Sequence, residues 1–159
     1  MSPLISIVMA TYNGEKYLRE QVDSLLAQSY PTLEFIFVDD ASSDSSVKIL
    51  QEYALSDTRI RLVTNPENQG LLATFEKGIR AAKGEMIALS DQDDVWMPEK
   101  IRLLAEAIGS HSMIYADSAL TNAAGSVTGK FSDRNHLCDY PTALHYVFGT
   151  KAMGHAMLF

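Results

Sequence analysis

The chain predicts an α/β fold, a three-layer α/β/α arrangement around a mostly parallel central sheet. Three observations carry that expectation. Strand-length apolar runs alternate with amphipathic stripes of helical period along the first 117 of 159 residues. The runs LISIVMA (Leu4–Ala10) and LEFIFV (Leu33–Val38) are apolar almost throughout, as in strands covered on both faces. Polar or acidic clusters follow three of the runs at once, where open α/β sheets present their ligand crevice.

Each element has its own signal. After the first strand, Thr11, Tyr12, Asn13 and Gly14 break the run. Asn13 is a candidate cap for a helix with Glu15 in its first turn, whose stripe is Leu18, Val22, Leu25 and Leu26. Ser29-Tyr30-Pro31 stops it, and Leu33–Val38 is the second strand, ending in Asp39 and Asp40. Ser43 or Asp44 can cap a helix with Val47, Leu50, Tyr53 and Ala54 on one face. Arg59–Asn65 alternates as a third strand. The next helix is expected to turn Leu71, Leu72, Phe75, Ile79 and Ala82 inward, with Gly84 as its C′ glycine. Met86–Leu89 is the fourth strand. Pro98 opens a helix carrying Ile101, Leu104, Ala105 and Ile108, and Gly109 closes it. Ser112–Ala116 is a fifth strand, ended by Asp117. Strands and helices alternating at this spacing form βαβ units and a mostly parallel sheet. Beyond Asp117 the rhythm changes: Asn122–Gly125 is a turn between two short β-prone pieces, Phe131–Tyr140 is polar and irregular, Thr142–Phe148 is one short helix, and Gly154–Phe159 is a strand. A chain that stops inside an apolar strand reads as part of a longer protein.

Composition narrows the function. Hydrophobic residues at 47% and charged residues at 21% are values of a globular domain, not of a disordered chain. A net charge of −7 with no basic stripe argues against nucleic acid as the partner. The lone Cys138 excludes an intrachain disulfide and a cysteine zinc site, and suits a reducing compartment. The four histidines, His111, His136, His145 and His155, lack ligand spacing and read as ordinary surface or packing residues. No leader and no run of membrane-spanning length is visible, so the expectation is a soluble, cytoplasmic segment.

The chemistry gathers in SDQDDVWMP, Ser90 to Pro98. Three carboxylates in four residues, Asp91, Asp93 and Asp94, directly after a buried strand call for a cation. Mg²⁺ or Mn²⁺ is the economical answer, since hard ions take carboxylate oxygens and complete their shells with substrate phosphates. The competing reading is a solvated acidic loop, or a cluster favouring the following helix N-terminus. Thr11-Tyr12-Asn13, Asp39-Asp40 and Asp91-Gln92-Asp93-Asp94 share one crevice if the first, second and fourth strands are neighbours. Taken alone, Asp39-Asp40 reads as helix capping and turn formation, and Tyr12 equally as a packed aromatic. The chain has no GxxxxGK[ST] loop, no GxGxxG after the first strand and no GxSxG elbow, which disfavours a P-loop NTPase, a dehydrogenase and an α/β-hydrolase.

The segments ISIVMATYNGEKYL, FIFVDDASSDSS, NPENQGLLATFEKGI and AKGEMIALSDQDDVWMPEKI, in that order, resemble the N-terminal half of a family 2 glycosyltransferase of GT-A fold. SDQDDVW is most similar to a rhamnosyltransferase branch, which would imply a dTDP-sugar donor. The resemblance implies inverting transfer of a sugar from a nucleotide-diphosphate donor, UDP- or dTDP-linked, to a saccharide or lipid-linked acceptor. It divides the domain into a nucleotide-sugar-binding part, residues 1–117, and the start of an acceptor-side part, residues 118–159. It implies that Ala10, Thr11, Tyr12 and Asn13 belong to the nucleoside pocket, that Asp40 bonds the base with Asp39 beside it, and that Asp91-Gln92-Asp93 is the DxD element. Asp91 would face the ribose or sugar and join Asp93 as metal ligand, and Asp94 would orient that shell or touch donor hydroxyls. Where many relatives carry a basic residue, this chain has Phe75, leaving Lys77 as the nearest cation. The family's general base falls past the end of this chain. Asp117 is the one late strand-end acid, with acceptor binding or turn capping as its other roles. The resemblance also implies a peripheral membrane association of the full-length protein. The alternatives are a nucleotide-sugar-binding module without turnover and a sugar nucleotidyltransferase; the latter wants a glycine-rich basic loop that ATYNGEKYL does not supply.

Overall fold

The computed structural model describes residues 2–122, 124–133 and 156–159. It is a six-stranded sheet with helices on both faces, plus a small hairpin. Along the chain come β1 (Ile5–Thr11), α1 (Leu18–Leu26), β2 (Leu33–Asp39), α2 (Ser46–Ser56), β3 (Ile60–Thr64), α3 (Leu71–Ala81), β4 (Met86–Ser90), α4 (Lys100–Ala107), β5 (Ile114–Tyr115), β6 (Ala119–Thr121), β7 (Val127–Lys130), a 3₁₀ turn at Phe131–Asp133, and β8 (Met157–Leu158). The sheet order is β3-β2-β1-β4-β8-β5, and β6 pairs with β7 separately. The expected short helix at 142–148, Cys138, His136, His145 and His155 lie outside the described residues.

β1 is central because every residue of it is buried. Ile5, Ile7 and Met9 point into the larger core, with Leu18, Val22 and Leu25 of α1, Ile49 and Leu50 of α2, and Ile101 and Leu104 of α4. Val8 points the other way, with Ile36 and Val38, under Phe75 of α3. Period-2 alternation in a fully apolar strand thus feeds two cores. The chain winds outward through β1, β2 and β3, then returns by α3 to place β4 on the other side of β1. That reversal makes a switch point between β1 and β4, where an open parallel sheet leaves its crevice.

Several local expectations give way to tertiary packing. α1 starts at Leu18, after a turn in which the Tyr17 and Leu18 amides donate to Gly14 O. Asn13 therefore caps no helix; it takes a left-handed φ of 48°. α2 starts at Ser46 behind Ser45, and Asp44 Oδ1 accepts the Ser46 amide at 2.9 Å. Leu71 and Leu72 face solvent instead of the core, Leu72 being 85% exposed, and α3 buries Thr74 and Gly78. Gly84 closes no helix; a Cβ there would sit 2.6 Å from the backbone and hydroxyl of Ser6, so its role is close approach to β1. α4 begins at Lys100, two residues past Pro98, and Gly109 follows it with φ 54°. The fifth strand shrinks to two residues and reaches the sheet only through β8, which lies antiparallel between β4 and β5. Of the turn expected at 122–125, Asn122 and Gly125 do lie between β6 and β7, the Gly125 amide donating to Asn122 O at 2.9 Å.

α3 lies close on the sheet because Gly78 lacks a side chain. A Cβ there would run into Val8 Cγ1 and approach Val38 Cγ2 to 3.1 Å. Gly78→Ala gains about 1 kcal/mol of helix propensity against about 1–3 kcal/mol of overpacking. We expect a net loss of stability in urea unfolding. Adding Val8→Ala to Gly78→Ala should cost less than Val8→Ala costs the wild type, because the added methyl then fills a hole.

Candidate functional site

Three loops meet at the carboxyl ends of β2, β1 and β4. The register brings them level: Thr11 pairs with Asp39 and Met9 with Ser90, and the ladder continues as the Asp40 amide donates to Thr11 O at 2.8 Å. They border a cavity of about 460 Å³ lined by Ala10, Thr11, Tyr12, Asp40, Asn68, Gly70, Leu71, Thr74, Asp91, Gln92 and Asp93. Seven of the sequence-predicted residues are in that wall. A larger depression of about 640 Å³ lies between α1 and α2, but its charged residues include the Arg19–Glu52 ion pair, and it touches none of the three strand-end clusters.

Asp40 is the hinge of the wall on one side. It is 3% exposed, and its carboxylate accepts from Asn65 Nδ2 at 2.7 Å, the Gln69 amide at 2.9 Å and the Gly70 amide at 2.9 Å. Desolvation pushes this carboxyl upward, but the donors from Gln69, Asn65, Gly70 and Thr74 outweigh it and hold the acid below its ordinary value. Asp40 thus caps α3 from thirty residues away in sequence, at the end where negative charge is favoured. Gly70 takes φ 85° there, a conformation only glycine adopts without strain. Asn65 is fixed in turn by Lys77 Nζ at 2.6 Å. Lys77 therefore stands behind Asp40 and does not line the cavity.

Asp39 and Asn13 also turn out to be joinery. Asp39 is fully buried; it accepts the Ser42 amide at 2.9 Å and the Ser42 hydroxyl at 2.5 Å. Ser42 Oγ accepts the Asn13 amide, and Asn13 Oδ1 accepts the Ser43 amide, both at 2.9 Å. Glu15 and Asp44 complete the zipper, with the Ser45 amide on Glu15 Oε2 at 2.8 Å and the Glu15 amide on Asp44 Oδ2 at 3.1 Å. These bonds shape the loop that presents Tyr12, which is 48% exposed. Thr11 Oγ1 is buried with no hydrogen-bond partner among the described residues, an unused polar atom in the cavity wall.

The acidic loop is held from beneath by α1. Gln21 Nε2 donates to Ser90 Oγ at 2.6 Å, Ser24 Oγ accepts the Trp96 amide at 3.0 Å, and Gln28 bridges Met97 O at 2.9 Å and the Ile101 amide at 3.1 Å. Gln21 and Ser24 lie at i and i+3 on one face of α1, and Gln28 follows just past the end of that helix at Leu26. Asp91 and Asp93 reach the cavity, whereas Asp94 is not among its lining residues. Lys100 Nζ lies 3.4 Å from the centroid of the buried Trp96 ring. Burial pulls this ammonium down to about 7, against the upward pull of Asp94 and then Asp91. Asp117 is drawn into the hairpin base: it accepts the Ser118 and Ser132 amides and the Ser132 hydroxyl, the last at 2.7 Å. Those bonds, the hydroxyl foremost, hold its carboxyl below the usual range, which favours the turn-tying role over a general base.

An oxygen-binding ion fits this donor set. Among the described residues no group of three or more His, Cys, Asp or Glu side chains is placed to enclose a metal. Asp91 and Asp93, both in the cavity wall, offer carboxylate oxygens of the kind a hard ion takes. Sequence reasoning missed Asn68, Gly70, Leu71 and Thr74 in the wall. The available signal was Asn65-Pro66 and Gly70, turn residues directly before a helix.

Asp40→Asn is expected to lower stability by about 2–3 kcal/mol, since an amide presents two donors to groups that need acceptors. The native carboxyl titrates below its unfolded value of 3.8, so its stabilisation is complete above that pH and disappears as pH falls through the folded value. Urea unfolding should show a gap between wild type and variant that is constant from pH 5 to 7 and narrows below about pH 4.

Residues 6–156 match the family described as Glycosyl transferase family 2. The Escherichia coli UDP-Glc:alpha-D-GlcNAc-diphosphoundecaprenol beta-1,3-glucosyltransferase WfgD is 33% identical over 131 residues, 80% of this chain and 50% of that protein. Staphylococcus aureus TarS, solved in complex with UDP, superposes with a TM-score of 0.63 at 28% identity over 69% of this chain and 33% of its own. A mannosyltransferase from Pyrobaculum calidifontis shares the fold, with a TM-score of 0.67 at 23% identity over 77% of this chain and 36% of its own. Two Bacillus subtilis relatives are spanned over 38% and 57% of their lengths, so this chain corresponds to part of such proteins. The mostly parallel sheet with flanking helices is the GT-A architecture of these neighbours. Over almost its whole length, the chain belongs to glycosyl transferase family 2.

Proposed function

We propose that this chain is the donor-binding part of an inverting glycosyltransferase that uses a nucleotide-diphosphate sugar and Mg²⁺ or Mn²⁺. One observation carries the reading: a single cavity joins an exposed aromatic, Tyr12, to the carboxylates Asp91 and Asp93 across the switch point of a parallel sheet. Family membership and the UDP in the TarS complex support it.

In this reading Tyr12 and the apolar wall of Ala10 and Leu71 receive the nucleoside. Asp40 keeps the 65–70 loop in place and offers its remaining Oδ2 lone pair to the base, while Lys77 fixes Asn65 from behind. Asp91 and Asp93 hold the cation against the diphosphate, and Asp91 also faces the ribose or sugar. The cation, when bound, neutralises charge that develops on the leaving nucleoside diphosphate. Asp94 and Lys100 set the charge of the loop from below. We assign no general base within the described residues; inversion needs a carboxylate to accept the acceptor's hydroxyl proton. The acceptor is a saccharide or a lipid-linked saccharide in cell-surface polysaccharide synthesis, reached at the cytoplasmic membrane face by peripheral association. No helix among the described residues is long and apolar enough to cross a membrane.

Calorimetric titration of UDP and dTDP, with and without Mn²⁺, tests the reading. Binding of one nucleotide should be tightened by Mn²⁺, and the affinity with Mn²⁺ should weaken by about tenfold or more in Asp93→Ala. A preference for dTDP would favour the rhamnosyl branch. Affinity that ignores both Mn²⁺ and the substitution would remove the metal from the site.

A further inference from the structure

The side chain of Gln92 does something that its place between Asp91 and Asp93 does not announce. Its Oε1 accepts the Tyr12 amide at 2.9 Å, and its Nε2 donates to Tyr12 O at 3.2 Å. Both ends of the carboxamide are engaged by the backbone of one residue, eighty positions away. The β1–β4 ladder stops at Met9 and Ser90. Gln92 adds a side-chain rung beyond that end, pairing with Tyr12 as a neighbouring strand would. Only a primary amide on a two-carbon stem fits this. Glutamate has no proton to give Tyr12 O, and asparagine is one methylene shorter.

Gly14 completes the arrangement. A Cβ at that position would fall onto Gln92 Oε1 and lie 2.8 Å from its Cδ. Gly14 is not among the glycines of positive φ, so space and not backbone conformation demands it. Its amide is used as well, donating to Ser46 Oγ at 2.8 Å. The loop after β1 is thus zipped to the loop after β2 on one side and clipped by Gln92 on the other.

We propose that Gln92 is a positioning residue: it locks the backbone of Tyr12 to the Asp91–Asp93 loop, with Gly14 kept bare to admit it, so that cation binding and nucleotide binding are coupled. The coupling rests on the donor-site reading above; the lock does not. A cation that orders Asp91 and Asp93 orders Tyr12 through two hydrogen bonds, and the reverse follows by linkage.

Two measurements on the purified protein decide it. The first is a double-mutant cycle in thermal unfolding with Gly14→Ala, Gln92→Ser and the pair. Gly14→Ala should lower Tm in the wild-type background and have little further effect once Gln92 is Ser. Additive losses would overturn the lock. The second is calorimetric titration of UDP and dTDP with and without Mn²⁺ on wild type, Gln92→Ser and Gln92→Glu. Mn²⁺ should improve nucleotide affinity in the wild type, and that improvement should shrink by about tenfold in both variants, the equivalent of two modest hydrogen bonds. A residue that only stabilised the fold would leave the Mn²⁺ enhancement unchanged at a temperature where the variants are folded. An unchanged enhancement in the variants therefore overturns the coupling while the donor reading stands. A wild-type protein that binds neither nucleotide overturns the donor reading and the coupling together, and the unfolding cycle still decides the lock.

Discussion

The parallel register of β1 between β2 and β4 is the constraint on which everything else hangs. Seven residues of β1, all buried, pair with β2 from Ile5–Leu33 through Thr11–Asp39, and five of them pair with β4 as far as Met9–Ser90. Because side chains alternate faces, slipping either pairing by one residue would exchange the residues that fill the larger core with those that fill the smaller one, and neither would pack. The hydrophobic effect therefore fixes the register, and the register fixes which loop residues stand level at the sheet's carboxyl edge. Tyr12, Asp40 and Asp91 are neighbours because Ile7, Phe35 and Ala88 are packed in the core below them.

Loops that leave such an edge carry backbone groups with no strand to pair with, and here side chains from distant segments answer them. Asp40 accepts two amides of the 65–70 loop, Ser46 accepts Gly14, Gln92 pairs with Tyr12, and Gln28 serves both Met97 and Ile101. Charge is managed in the same way. The ammonium of Lys100, set on the Trp96 ring, lies within electrostatic reach of two of the three acids, and Asp93 projects from the loop. The result is a crevice of fixed outline with a carboxylate edge.

The sheet and the convergence of the three clusters were legible because burial on both faces leaves an unbroken apolar run, as in Leu4–Ala10 and Leu33–Val38. Helix faces were legible where the partner is the sheet itself, as with Leu18, Val22 and Leu25. They failed where chemistry at the crevice intervened: Leu71 and Leu72 open α3 beside the cavity and stay exposed, and the helix is seated by Gly78 instead. The roles inside the clusters were hardly legible. Asp39 is spent on Ser42 in the local turn that the pair suggests when taken alone, but Asn13 and Lys77 are spent on Ser43 and Asn65, and nothing local in sequence names partners thirty or twelve residues away. The polar row Gln21, Ser24 and Gln28 was invisible for the same reason, because a buried glutamine looks like a surface residue until its partner is known.

The insertion of β8 between β4 and β5 bears on how the molecule comes into being. β1 to β4 are joined by short crossovers and close their ladders with partners no more than about eighty residues apart, within the first 90 residues. β5 has its sheet partner in Met157 and Leu158, after forty intervening residues, and β4 meets Leu158 from seventy residues away. These pairings wait on residues 157–158, which are synthesised after β1 to β7. The β1–β4 part of the sheet can therefore assemble during synthesis, leaving the free edge of β4 unpaired until the late strand emerges. For that interval the growing chain exposes a strand edge of the kind that invites pairing with other chains. The order of residues along the polypeptide thus sets a period of vulnerability that the finished domain no longer shows.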